Sequence, residues 1–207
     1  MLSVARRSAL QWIMRVPMQL DSTSSDRAGT PEEPPLISVV VPVYNEINNI
    51  RPFLARTVAV LERLGTYEII FALDPSPDGT EQVIRDETTQ NPNIGLIVLS
   101  RRFGQPAATM AGILNCRGQW CAVIDIDLQD PPEVIEAMWH KAQEGFDVVV
   151  ARRAARQGET LIKLMIARVG YRLINKLAEV PIPLDTGDFR VISRRVIEEL
   201  RCLRESH

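Results

Sequence analysis

The segment Ile37-Ser38-Val39-Val40-Val41-Pro42-Val43-Tyr44 limits the fold more than any other stretch of the chain. It is β-branched and almost continuously apolar, the texture of a strand covered on both faces. Such a strand needs helices above and below it, and the following residues supply the pattern. Residues 50–64 carry helical spacing and end at Gly65, and residues 67–73 read as a second buried strand. The turn-rich Asp74-Pro75-Ser76-Pro77-Asp78-Gly79-Thr80 then leads into a helix, with Thr80 or Asp78 placed to cap it. Residues 94–99, 120–124 and 146–151 read as three more strands. Residues 107–115 form a small-residue helix suited to close packing, residues 134–143 are helical, and a last helix starts near Ser193. Strand and helix alternate throughout, which predicts an α/β fold of three layers around a mainly parallel central sheet.

The fourth strand runs into Ala122-Val123-Ile124-Asp125-Ile126-Asp127-Leu128-Gln129-Asp130-Pro131-Pro132-Glu133. Side chains two apart on an extended segment share a side, so Asp125 and Asp127 leave the strand together. Gln129 adds a third oxygen if the chain stays extended, and the prolines suit the first turn of a helix. Oxygen ligands at the carboxyl end of a strand occupy the place where open α/β sheets bind ligands. Ligands of this hardness suit Mg²⁺ or Mn²⁺ held by carboxylates together with substrate phosphates. The competing reading is a plain strand end with Asp130 as a helix cap.

With 207 residues and 45% hydrophobic content the chain can bury one substantial core. A net charge of -2 argues against a general nucleic-acid binder. Cys116, Cys121 and Cys202 make no C-x-x-C pair, and three cysteines give no disulfide framework, which fits a reducing compartment. No run of 18 apolar residues occurs, and residues 1–20 are too polar for a secretory signal. Residues 21–35, rich in Ser, Thr, Pro and acids, extend this into a leader of 35 residues expected to be disordered. Neither a G-x-G-x-x-G nor a Walker A sequence is present, which lowers dehydrogenase and P-loop readings. Residues 152–176 hold Arg152, Arg153, Arg156, Lys163, Arg168, Arg172 and Lys176 against Glu159 alone. Their spacing gives a basic amphipathic helix, suited to an anionic membrane surface or to an ordinary solvated face.

Taken together, Pro42-Val43-Tyr44-Asn45-Glu46, Asp74-Pro75-Ser76-Pro77-Asp78-Gly79-Thr80, Asp125-Ile126-Asp127-Leu128-Gln129 and Gly187-Asp188-Phe189-Arg190 resemble one family. It is the family 2 glycosyltransferases of GT-A fold. Within it the pattern is similar to the polyprenyl-phosphate branch of dolichol-phosphate mannose synthases and bacterial bactoprenol-phosphate glucosyltransferases. The resemblance spans about residues 36–203. It implies that Pro42, Tyr44, Asn45 and Glu46 line a nucleotide-sugar pocket and that Asp74 contacts the base. It implies that Asp125, Asp127 and Gln129 hold Mg²⁺ or Mn²⁺ on the donor diphosphate, with Asp125 and Asp127 at the donor. Arg152 and Arg190 are expected near phosphates, and Asp188 takes the place of the acceptor-side acid. The chain departs from the family in Leu73, where a second acid is usual, and in Pro75. Bacterial members continue into membrane helices beyond the point matching His207, so a shortened protein is expected.

The implied reaction is transfer of a sugar from a UDP- or GDP-linked donor to a polyprenyl phosphate at the cytoplasmic membrane face. A lipid monophosphate is already ionised near neutral pH, so it needs cationic positioning more than a general base. Direct attack inverts the anomeric centre, and Asp127, Asp188 and Arg190 are the expected catalytic residues. A homo-oligomer is left open. Two other classes compete. A GT-A nucleotidyltransferase would carry a Gly-rich phosphate loop near the first strand, which residues 39–46 lack. A degenerate GT-A module serving as a binding or scaffold subunit draws support from Leu73 and Pro75.

Overall fold

A computed structural model of the chain describes residues 33–152 and 186–202. In chain order its elements are β1 (Ile37–Val43), α1 (Ile50–Leu64), β2 (Tyr67–Leu73), α2 (Thr80–Gln90), β3 (Ile94–Val98) and α3 (Gln105–Asn115). They continue with β4 (Trp120–Val123), α4 (Val134–Ala142), β5 (Val148–Arg152), β6 (Thr186–Ser193) and α5 (Arg194–Cys202). The leader expected over residues 1–35 falls almost wholly outside the described residues, as does nearly all of the basic stretch 152–176.

The six strands lie in the order β3-β2-β1-β4-β6-β5. β1 pairs in parallel with β2 and β4, and β2 with β3. Every residue of β1 is buried, as its unbroken apolar run requires. On one face Val39, Val41, Ile69, Phe71 and Ala122 meet Phe53 and Leu61 of α1, Ile84 of α2 and Ile135 of α4. On the other face Val40, Ile70 and Val123 meet Ile113 of α3 and Ile197 of α5. The three-layer expectation holds. α3 sits very close to the sheet: a Cβ on Gly112 would fall 2.3 Å from Val40 Cγ1, so the small side chains of this helix set its distance.

Two features differ from the sequence reading. Residues 186–193 form β6, antiparallel to both β4 and β5, where the sequence reading placed the Gly187-Asp188-Phe189-Arg190 motif and no strand. Its apolar alternation is masked at one end by Asp188 and Arg190, while Phe189 and Val191 fill the core between them. Asp130 does not cap α4. The helix begins at Val134 after two short turns in which Val134 N–H donates to Pro131 O and Ile135 N–H to Pro132 O. The prolines thus lead into the helix rather than forming its first turn.

Candidate active site

Parallel strands deliver their loops to one edge, and here the loops after β1, β2 and β4 enclose a cleft of about 210 Å³. Pro42, Val43, Tyr44 and Glu46 come from the end of β1, and Asp74 from the end of β2. Asp125, Ile126 and Asp127 follow β4, while Gln105 and Ala108 come from the first turns of α3. Of the residues expected at a nucleotide-sugar site, Pro42, Tyr44, Glu46, Asp74, Asp125 and Asp127 are therefore brought together.

The chain leaves β4 at Val123 and turns before it has placed three side chains in line. Asp125 is half-buried, Ile126 points into the core, and Asp127 is exposed. Leu128 then takes φ 60°, a left-handed conformation that an L-residue holds only under constraint. Asp127 Oδ1 accepts the Gln129 N–H at 3.0 Å, closing the turn. Gln129 is exposed and outside the cleft lining, so its side chain does not follow Asp125 and Asp127 along an extended strand. The second left-handed non-glycine among the described residues is Asn45, at φ 56° in the loop after β1. Both outliers sit in loops that build the cleft.

That first loop is stitched to the one after β2. Asn45 N–H donates to Ser76 Oγ at 3.0 Å, Glu46 N–H to Thr80 Oγ1 at 3.0 Å, and Ile47 N–H to Asp78 Oδ2 at 3.3 Å. Asp78 Oδ1 also accepts from the Thr80 N–H and hydroxyl. Burial pushes the Asp78 carboxyl up, but the hydrogen bonds from Thr80 and Ile47 outweigh it and hold the group below its ordinary value. The turn residues Ser76, Asp78 and Thr80 therefore serve as acceptors for the neighbouring loop's backbone.

Asp74 is 2% exposed, and both its oxygens are engaged. Oδ1 accepts the Phe103 N–H at 3.1 Å and Oδ2 the Gly104 N–H at 2.7 Å. Gly104 has φ 91°, which a side chain would strain, and α3 starts at the next residue. A carboxylate expected to read a base is thus also the anchor of the α3 start. Leu73, beside it, is fully buried in the apolar core and does not line the cleft, and Pro75 is exposed. The two departures from the family pattern leave the cleft lining itself untouched.

Three features were missed in the sequence. Gln105 lines the cleft and donates from Nε2 to Asp125 Oδ1 at 2.7 Å. Arg102 lies with its guanidinium carbon 4.0 Å from the centre of the Tyr44 ring. The third is β6. A signal for Gln105 existed: it is the polar residue opening a helix that starts at the carboxyl edge of the sheet, where helix N-termini face ligands.

β6 carries the remaining expected residues. Arg190 pairs across from Val123 at the end of β4 and from Val150 of β5. Two residues on from Val123 lies Asp125, and two back from Arg190 lies Asp188, which is exposed at that same edge of the sheet. Arg152 ends β5, where the ladder register shifts after Val150, and its side chain lies outside the described ones.

The electrostatics of the cleft are one-sided. Among the described residues its lining holds Glu46, Asp74, Asp125 and Asp127 and no Lys or Arg. An anionic diphosphate entering such a cleft needs a cation with it. Asp127 Oδ2 has no partner among the described residues, and the Asp125 carboxylate lies in the same cleft. Among the described residues no three His, Cys, Asp or Glu side chains converge into a closed cage. Mg²⁺ and Mn²⁺ need none, since one or two carboxylates plus substrate phosphates suffice. The donor set fits such an ion.

The fold and this cleft define a GT-A-type α/β protein. Its solved likenesses agree. The mannosyltransferase PcManGT from Pyrobaculum calidifontis, in complex with GDP-Man and Mn²⁺, superposes with a TM-score of 0.57 at 22% identity, covering 84% of this chain and 49% of that one. Glucosyl-3-phosphoglycerate synthase from Mycobacterium tuberculosis, with Mn²⁺ and UDP, gives a TM-score of 0.56 at 22% identity, covering 78% and 58%. The family model for glycosyl transferase family 2 matches residues 38–201, and the chain belongs to that family. Among curated relatives, the uncharacterized glycosyltransferase sll0501 of Synechocystis is 42% identical over 170 residues, covering 82% of this chain and 54% of its own length. The bactoprenol glucosyl transferase of Shigella phage SfX is 39% identical over 171 residues, covering 82% and 56%. The chain thus spans about half the length of the curated relatives it matches.

Proposed function

We propose that this chain is the catalytic part of an inverting, metal-dependent glycosyltransferase that moves a sugar from a UDP- or GDP-linked donor to a polyprenyl phosphate. The observation that carries the reading is the cleft that gathers four carboxylates at the carboxyl edge of a GT-A sheet. The acceptor class draws on the relatives at 39% identity named bactoprenol glucosyl transferase. A bound Mg²⁺ or Mn²⁺ supplies neutralisation of the diphosphate leaving group.

The chain's own groups do the rest. Asp125 and Asp127 hold the cation, and Tyr44 and Glu46 border the nucleotide. Asn45 keeps the loop closed through Ser76. An acceptor phosphate oxygen forms the new bond to the anomeric carbon as the bond to the diphosphate oxygen breaks, and the nucleoside diphosphate leaves. Asp188 and Arg190 lie on the strand beside β4, with Arg152 on the next strand, and in this reading they hold the acceptor phosphate. The ionised phosphate needs no proton removed, so these residues position rather than deprotonate. The lipid acceptor places the reaction at the membrane face, with the basic stretch 152–176 as the contact. No helix among the described residues is long and apolar enough to cross a bilayer.

The test is calorimetric binding of UDP, GDP and their sugars, with and without Mn²⁺, to the chain and to Asp127→Asn. One nucleotide binds only with Mn²⁺, and the variant weakens it at least about 100-fold, since Asp127 is exposed and its loss leaves the fold intact. Transfer to a polyprenyl phosphate in detergent is then measured for the chosen donor. Absence of nucleotide binding to a folded wild-type chain would sink the donor-site reading and leave the scaffold alternative.

A further inference from the structure

We infer that Gln105 is the positioning residue for the metal-binding carboxylate Asp125, and that Asp74 sets this position through the start of α3. The inference rests on the reading of the cleft as a metal-dependent donor site. Its own support is geometric. Gln105 Nε2 lies 2.7 Å from Asp125 Oδ1, and an ionised carboxylate only accepts, so the amide must present its NH₂ there. The residue is exposed, fills no core space and lines the cleft, so its contact with Asp125 is its visible work.

The placement is built from behind. Gln105 is the first residue of α3, and the two residues before it, Phe103 and Gly104, give their N–H groups to the two oxygens of Asp74. Asp74 is buried at the end of β2, and its own N–H donates to Val43 O at 3.0 Å. A continuous path therefore runs from the β1–β2 edge through Asp74 and Gly104 to Gln105 and on to Asp125. Asp125 lies beyond the end of β4, in a segment that has left the sheet ladder and is about to turn at Leu128. The amide of Gln105, carried on the first residue of α3, fixes one oxygen of that carboxylate from a helix. Outer partners that orient a ligand in this way typically change metal affinity about 10–100-fold when removed.

The inference assigns the cleft a second layer that also explains the double engagement of Asp74. The same buried carboxylate that faces the nucleotide cleft holds the start of the helix that orients the cation's ligand.

The deciding experiment uses the 207-residue chain, with MnCl₂ and whichever of UDP and GDP it binds. Gln105→Met keeps length without a donor, and Gln105→Ala removes both. Mn²⁺ is titrated at fixed nucleotide by calorimetry, and thermal unfolding is followed with and without both ligands. Both variants unfold at the wild-type temperature without ligands, lose about 10–100-fold in Mn²⁺ affinity, and lose most of the ligand-induced stabilisation. Wild-type Mn²⁺ affinity in both variants overturns the inference while leaving the donor-site reading standing. So does a lowered ligand-free unfolding temperature with Mn²⁺ affinity unchanged, which marks a purely structural contact. A wild-type chain that binds no nucleotide with or without Mn²⁺ overturns the donor-site reading and this inference with it.

Discussion

Glu68 and Asp127, carboxylates at the two ends of the sheet, are held in opposite ways. At the amino end, Glu68 on β2 is buried and saturated by its own chain. Its Oε1 accepts the Ser38 hydroxyl at 2.6 Å and the Arg117 N–H at 2.6 Å, and its Oε2 accepts Arg117 Nε at 2.9 Å. Gly118 N–H closes the cluster on Ser38 Oγ at 2.7 Å, and a Cβ on Gly118 would fall 2.5 Å from that oxygen. At the carboxyl end, Asp127 leaves an oxygen unclaimed among the described residues, beside three other acids in an open cleft. Backbone strain follows the same division: Asn45 and Leu128, the left-handed non-glycines among the described residues, both belong to the cleft loops. A saturated carboxylate holds a fold together, whereas an unsaturated one in a cleft is held ready for something that is not protein.

The comparison breaks most sharply at Glu68. Glu68→Ala strands the Ser38 hydroxyl and the Arg117 backbone amide beside a void. A buried donor left without an acceptor costs about 1–3 kcal/mol, and the loss expected here is roughly 2–3 kcal/mol in urea unfolding. The exposed guanidinium of Arg117 adds little to that figure, since water screens it. Mn²⁺-dependent nucleotide binding by the folded fraction stays at the wild-type level. Asp127→Asn behaves in reverse, with binding lost and unfolding unmoved. If Glu68→Ala also abolished binding, the two ends would not be separable in function.

This division explains what could be read in advance. Buried parallel strands announce themselves by continuous apolar runs, so β1 to β4 and the edge carrying the cleft were legible, with boundaries within a residue or two. Asp125 and Asp127 were legible because charge at the end of such a run has no structural use. The path of the chain after Val123 was not, because a left-handed Leu128 has no sequence signature, and so Gln129 was placed in line with the aspartates. β6 was hidden because Asp188 and Arg190 interrupt its apolar pattern on one face. Gln105 was missed because a polar residue at a helix start looks like solvent-facing surface until the distance to Asp125 is known. The dual use of Asp74 required the same knowledge, since its partners Phe103 and Gly104 are about 30 residues away.

Arg102 sharpens the electrostatic side of the comparison with a smaller effect. Its guanidinium rests on Tyr44, a ring that lines the acidic cleft, which puts a positive charge beside the path of an entering diphosphate. A stacked exposed pair contributes about 0.5–1 kcal/mol by itself. Arg102→Ala is expected to weaken nucleotide binding by about 3–10-fold at low salt, the loss of one charge-assisted contact. Raising ionic strength narrows the gap between variant and wild type, because the exposed charge is screened within about 10 Å at 0.1 M salt. A salt-independent loss would assign the effect to the stacking on Tyr44 instead.

The smallest effect belongs to the clip between the loops after β1 and β2. Hydrogen bonds from Thr80 and Ile47 hold the Asp78 carboxyl below its ordinary value despite burial. A group with a lowered folded-state pKa contributes stability that is present above its unfolded value, near about 4 for Asp. That contribution fades as the pH falls through the lowered folded value, when the carboxyl protonates and releases the Ile47 N–H. Asp78→Asn removes this pH dependence, since its amide does not titrate. Fluorescence-monitored unfolding between pH 2.5 and 6 should therefore show the wild type losing slightly more stability on acidification than the variant does. The difference between the two curves, rather than either curve, carries the result. Parallel curves would mean that Ser76 and Thr80, not Asp78, hold the loop that carries Tyr44 and Glu46 into the cleft.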